Sequence, residues 1–303
     1  MTTRAFSTYD VFTEKPLSGN QLAIVWNAEG LDAPRMQAIA REFNLSETVF
    51  VLPPEDKRHT ARLRIFTPFA ELDFAGHPTV GAAIAIGERN RDAANDRTAI
   101  MALEENVGVV RCVVDLTDKC FAEFDLPRLP APVASSIQPE LAAAALGLDH
   151  SDIGFENHQP MLWTAGNPIA LIPIHGLAAI ARARIDLAIW ADVLEDYPAT
   201  TPSAYLYCRE CIGSDCAFHA RKFSPFPDGG EDPATGSAVA ALAGAIQHFD
   251  RMPEGAHRLW VEQGMEINRP SRIRLEMDIV GGAIDTARIG GHAVKISEGK
   301  LLV

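Results

Sequence analysis

Positive charge is scarce in this chain. Its 27 Lys and Arg stand against 40 Asp and Glu, giving a net charge of −13 and a pI near 5.1. Such a surface repels a phosphate backbone, so nucleic acid is excluded as a partner. Long hydrophobic runs are missing too: no stretch approaches the ~18 apolar residues of a membrane helix. The start, Met1 to Phe6, lacks a signal-peptide apolar core, and the expectation is a cytoplasmic protein without membrane contact. Cysteine is sparse. Of the five, Cys208 and Cys211 form one C-x-x-C pair with Cys216 nearby, but no second pair stands at zinc spacing and His219 is the only histidine close by. Reduced thiols in and beside a strand are expected. His59, His150, His158, His175, His219, His248, His257 and His292 show no metal-ligand pairing and are read as surface or packing residues. Charge runs and low-complexity segments are absent, which leaves an interaction scaffold unsupported.

What the chain has is repetition. Its 303 residues suggest ~2 domains of ~150 residues, and 47% hydrophobic content can fill two cores. Leu17-Ser18-Gly19-Asn20-Gln21-Leu22-Ala23-Ile24 is answered by Thr164-Ala165-Gly166-Asn167-Pro168-Ile169-Ala170-Leu171. Arg64 to Phe69 is answered by Arg221 to Phe226, and His77-Pro78 is set on Asp232-Pro233. The order and nearly constant spacing point to a duplicated domain, not to a solenoid with a period of ~20–50 residues. Leu126 to Pro132 carries three prolines and reads as the linker. Two halves are expected, 1–128 and 129–303, with the last strand, 291–303, able to pack on either.

The elements alternate between strand and helix. Thr8–Phe12, Gln21–Trp26, Thr48–Leu52 and Ala61–Phe66 read as strands. Asp32–Phe43 reads as an amphipathic helix, with Met36, Ile39, Ala40 and Phe43 on one face. Further strands are expected over Val107–Leu116 and Cys120–Asp125. Around Pro78 and Pro233 a polar cap, proline at the first helical position and a small-residue run predict two buried helices. Free first-turn N–H groups make each helix start a natural anion site.

Several of these residues match a family. Asn44-Leu45-Ser46-Glu47-Thr48-Val49-Phe50, Phe74-Ala75-Gly76-His77-Pro78-Thr79-Val80-Gly81, Gly230 to Ala238 and Gln263 to Pro270 resemble the PhzF-type isomerases of phenazine biosynthesis. The resemblance spans nearly the whole chain. It implies an α+β, diaminopimelate-epimerase-like fold: two similar domains, each a curved, mostly antiparallel sheet wrapped around a central helix, with the active site between them. It also implies a homodimer that works without cofactor or metal on a small carboxylate-bearing substrate, as the namesake isomerises trans-2,3-dihydro-3-hydroxyanthranilate.

The site residues follow from that resemblance. Glu47, between Phe43-Asn44-Leu45 and Val49-Phe50-Val51, is either an exposed charge at a helix-to-strand junction or a carboxyl raised by desolvation into the range useful for proton transfer. The family matches its catalytic glutamate here, so Glu47 is the acid/base. His77 and Asp232 are cap residues on their own merits, and become catalytic partners through the family. Asn20, Ser46, Gly76, Gly236 and Ser237 are the substrate-binding candidates, although Asn20 also reads as a turn residue, Ser46 as a strand-start hydroxyl, and Gly76, Gly236 and Ser237 as packing positions. Racemases of this fold place two cysteines where this chain has Ala75 and Ala234. Alanine cannot take a proton, so two-thiol racemisation is closed and a one-base proton shift is favoured. An epimerase with non-cysteine bases and a non-catalytic small-anion binder stand as the alternatives.

Overall fold

The computed structural model describes residues 3–90, 98–194, 197, 201–225 and 230–303. Phe226, the last residue of one repeated block, lies outside them, as do Met1 and Thr2. The chain divides into two compact units, one formed by Met1–Pro127 with Ile289–Val303 and the other by Arg128–Arg288.

In the first unit the order is β1 (Thr3–Val11), β2 (Asn20–Val25), α1 (Ala33–Phe43), β3 (Glu47–Leu52), β4 (Ala61–Phe66), β5 (Glu71–Leu72), α2 (Gly76–Asn90), β6 (Thr98–Glu105), β7 (Gly108–Asp115) and β8 (Phe121–Asp125). The strand expected over Val107–Leu116 is β7, and it forms a hairpin with β6, an arm the sequence reading did not foresee. Asp32 caps α1 by accepting from the Arg35 N–H at 2.9 Å. Met36, Ile39 and Ala40 of α1 then pack with Val25, Phe50 and Phe66.

Every residue of α2 from Gly76 to Gly87 is buried. A helix that is apolar all round has to be wrapped, and α2 meets β1, β2, β3, β6, β7 and β8. Gly81 permits the closest approach: a Cβ there would lie 2.5 Å from Leu22 Cδ2 and 2.8 Å from Val11 Cγ2. The helix starts at Gly76, so Pro78 is its third residue and His77 its second, not a cap. Proline is tolerated there because first-turn N–H groups have no intrahelical partner.

The second unit runs β9 (Ala131–Pro132), α3 (Pro139–Leu146), β10 (Met161–Thr164), β11 (Pro168–Pro173), α4 (Leu177–Arg182), α5 (Leu187–Val193), β12 (Ser203–Cys208), β13 (Phe218–Phe223), β14 (Glu231–Asp232), α6 (Gly236–Asp250), β15 (Gly255–Gln263) and β16 (Ser271–Val280). The proline-rich stretch read as a linker supplies β9, which pairs with β10. A helix mostly buried among strands recurs in α6, which meets β9, β10, β11 and β16. It starts at Gly236 behind the N-cap Thr235, three residues beyond Pro233. The last strand, β17 (Ala283–Leu302), runs antiparallel to β1 from Val11↔Ala293 to Thr3↔Leu302.

The pairing pattern of the first unit recurs in the second. Parallel β2/β3 corresponds to parallel β11/β12, antiparallel β3/β4 to β12/β13, β4/β5 to β13/β14, and parallel β4/β6 to β13/β15. Register then fixes equivalences. Leu22↔Glu47 and Ile169↔Ser203 put Asn20 on Asn167, as the sequence suggested. Ile65↔Leu72 and Lys222↔Asp232 put Asp232 on Leu72, not on His77. With both helices 15 residues long and starting at Gly76 and Gly236, the counterpart of His77 is Ser237. An ion pair is repeated too. Arg64 Nε and Nη2 donate to Glu71 at 2.7 and 2.6 Å, and Arg221 does the same to Glu231 at 2.8 and 2.6 Å.

Candidate active site

Glu47 opens β3 beside β2, in register with Leu22. Gly81 brings α2 down onto that same Leu22, and the helix start carries His77 to the end of the sheet where Glu47 stands. Glu47 Oε2 and His77 Nε2 are 3.2 Å apart, with their side chains 17% and 6% exposed. A carboxylate and an imidazole at that separation can share or pass a proton. Withdrawal from bulk water strengthens the electrostatic coupling between them.

Asn20 is buried at the start of β2 opposite Val11. The turn before it is pinned by Asp10, whose Oδ2 accepts from the Leu17 N–H at 2.6 Å. Gly19 sits at φ +66°, and a Cβ there would lie 2.3 Å from the Val11 carbonyl oxygen. Glycine is therefore required beside Asn20. Gly76 is buried as the first residue of α2, whereas Ser46 is exposed just ahead of Glu47.

In the second unit Asp232 is half-buried in β14. Thr235 Oγ1 donates to its Oδ2 at 2.6 Å, and Lys222 Nζ lies 3.7 Å from the same oxygen. Gln263 Nε2 donates to its backbone carbonyl at 2.8 Å. Tyr205, wholly buried on β12, has its hydroxyl pushed up by burial and further by Asp232. Gly236 and Ser237 form the first turn of α6, Gly236 buried and Ser237 half-buried. Asp232 thus anchors the approach to the helix without being its cap.

Two histidines read as surface or packing residues are members of buried polar networks. His219 carries Glu262 on Nδ1 at 2.8 Å and Glu266 on Nε2 at 2.9 Å. Burial disfavours its charge, yet the two carboxylates hold its pKa up at about 9. His158 joins Tyr207 at 3.0 Å and Asp250 at 2.9 Å. Asp250, His158 and Glu156 cluster closely enough to suggest metal ligands. Arg209, however, pairs with both Asp250 and Glu156. Its guanidinium already supplies the positive charge those groups need.

One buried acid went unread in the sequence. Glu105 ends β6 on the same face as Met101 and Leu103, and is only 7% exposed. Burial pushes its carboxyl up to about 8. A charged residue at the inward parity of a strand was the available signal.

The sequence pattern described as phenazine biosynthesis-like protein, PhzC-PhzF, matches residues 9–299. The chain belongs to this family. Among its relatives, an uncharacterized isomerase of Mesorhizobium japonicum is 52% identical over 100% of both chains. A trans-2,3-dihydro-3-hydroxyanthranilate isomerase of Pseudomonas aeruginosa is 32% identical over 96% of each. The crystal structure of a PhzF-family phenazine biosynthesis protein of Bacillus anthracis superposes with a TM-score of 0.88 at 28% identity, covering 100% of both chains. As a PhzF-family member the protein has the α+β, epimerase-like fold and is an isomerase. Among the described residues of this family member, no helix is long and apolar enough to cross a membrane.

Proposed function

We propose that the protein is a cofactor-independent isomerase that moves a proton on a small, carboxylate-bearing, cyclic or unsaturated substrate of the trans-2,3-dihydro-3-hydroxyanthranilate kind. The observation that carries this reading is the half-buried Glu47 carboxylate 3.2 Å from the His77 imidazole. Glu47 takes a proton from a substrate carbon, the electron pair shifts along the conjugated system, and the same carboxyl returns the proton at another carbon. His77 orients Glu47 and stabilises its carboxylate before the first transfer and after the second. First-turn N–H groups at Gly76 favour a substrate carboxylate. Asn20 and Ser46 belong to the same reading as substrate-binding groups. So do Gly236 and Ser237 in the second unit, with Asp232 as a further catalytic partner.

The one-base route is supported over two-base epimerisation. Opposed bases must flank a substrate carbon, and Glu47 and His77 are too close together to do so. Ala75 and Ala234 supply no thiol in their place. The deciding experiment is turnover of trans-2,3-dihydro-3-hydroxyanthranilate and related cyclic amino acids in deuterium oxide. Conversion to an isomer in which any label sits at the new carbon, with the starting stereocentre unscrambled, supports the proposal. Inversion at one carbon points to an epimerase, and binding without exchange points to an anion-binding protein.

A further inference from the structure

Thr79 Oγ1, two residues beyond His77, lies 2.8 Å from the Ala75 carbonyl oxygen and 2.8 Å from Glu105 Oε1. A hydroxyl has one hydrogen to give. If Glu105 were ionised, Thr79 would face two acceptors with one donor. Its Oε2, buried and with no hydrogen-bond partner among the described residues, would then hold negative charge in an apolar site. A protonated Glu105 removes the conflict: its O–H donates to Thr79 Oγ1, and Thr79 donates to Ala75.

The second unit supports this independently. The pairs Arg62↔Glu104 and His219↔Glu262 make Gln263 the counterpart of Glu105. Gln263 is the neutral analogue of a protonated glutamate. Its Nε2 donates to Thr235 Oγ1 at 3.1 Å and to the Asp232 carbonyl at 2.8 Å, while its Oε1 accepts from the Thr235 N–H at 3.2 Å. In both units, then, a side chain from this strand position holds the approach to the buried helix.

We propose that Glu105 is a positioning residue: a buried carboxylic acid held in its neutral form that clasps the Ala75–Thr79 turn and thereby fixes the imidazole of His77 against Glu47. A second tie holds the same region, where the Val107 N–H donates to the Asp73 carbonyl at 3.0 Å. The clasp has an alkaline limit, because the carboxyl titrates near pH 8. Among the described residues, Cys112 on β7 lies within electrostatic reach of Glu105, and Asp125 on β8 within reach of Cys112. The Cys112 thiol is pushed up by burial, then by Glu105 and Asp125. It stays neutral while Glu105 titrates.

Unfolding and histidine NMR need no turnover, so their outcome does not depend on the identity of the substrate. Unfolding of the full chain and of Glu105→Gln is followed from pH 5 to pH 9. A folded-state value near 8 against an ordinary 4.5 means stabilisation complete below about 4.5 and lost as pH rises through about 8. The wild-type unfolding constant should therefore rise relative to Glu105→Gln by about tenfold per pH unit across that window, then level off. A ratio independent of pH overturns the neutral acid. Histidine NMR supplies the second readout. Glu105→Gln, which keeps a donor to Thr79, should leave the His77 resonances in place, whereas Thr79→Val should shift or broaden them. His77 signals unmoved by Thr79→Val overturn the clasp.

Discussion

The carboxylate of Glu47 lies 3.2 Å from His77 Nε2, although strand and helix bring the two together from 30 positions apart in the chain. Neither side chain is open to bulk solvent. Replacing Glu47 with Gln keeps the shape and removes the ability to accept a proton. Turnover of a trans-2,3-dihydro-3-hydroxyanthranilate-type substrate should fall ~10²–10⁴-fold in kcat with little change in KM. Activity kept within ~10-fold would remove Glu47 from the reaction.

The repeated ion pair predicts an unequal pair of mutants. Arg221 is 3% exposed and, besides Glu231, donates through Nη1 to the Ile180, Ala181 and Ala183 carbonyls at 2.8, 3.2 and 3.1 Å. Arg64 is 19% exposed and faces Glu71. Arg221→Met strands a buried carboxylate and three carbonyls, and should cost ~3–5 kcal/mol. Arg64→Met should cost less, ~1.5–3 kcal/mol. Urea titrations of the two variants measure the difference, and equal losses would contradict this account.

His219 gives a pH dependence of defined sign. Its folded-state value of about 9 exceeds the ordinary 6.5, so its contribution is complete below about 6.5 and disappears as pH rises through about 9. Glu262 and Glu266 are desolvated, yet His219 and other donors hold both below the ordinary carboxylate range. Their contribution is present above that ordinary range and lost on acidification. Wild type should thus lose on the order of 3 kcal/mol relative to His219→Gln between pH 6.5 and 9. Thermal midpoints of both proteins across that range test the prediction. A constant difference would mean an uncharged His219.

Gly81 should resist enlargement. Valine there meets Leu22 and Val11, lifts α2 from β2 and disturbs the Glu47–His77 contact. Overpacking of this kind costs ~1–3 kcal/mol. The variant should lose kcat beyond what its lower stability explains, measured well below its melting midpoint.

Local chemistry that acts within a few residues was legible in the sequence. Asp32 marked the start of α1, the alternation over Ala61–Phe66 gave β4, and the small residues after Gly76 gave a buried helix. Strand β6 was missed because Ala99, Met101, Ala102, Leu103 and Glu104 favour helix intrinsically, and pairing with β4 and β7 overrides that preference. The match of His77 to Asp232 failed for another reason. The connection before β5 spans 67–70, while the one before β14 spans 224–230, so a dipeptide likeness slid one copy along the other. The hydrogen-bond conflict at Glu105 has no one-dimensional trace, since Thr79 meets it only through the fold.

The pairing of β1 with β17, Thr3 beside Leu302, bears on how the protein is made. A ribosome delivers β1 well before β17. The first unit, although most of it is synthesised early, has to wait with one edge of β1 uncovered until β17 has been made. At ~5–20 residues per second that wait lasts ~10–35 s, long enough for an exposed strand edge to need shielding. The same adjacency offers a remedy. Joining the two ends through a short linker and reopening the chain at an exposed turn would place these strands next to each other in sequence, and such a permuted protein should close its first unit without delay.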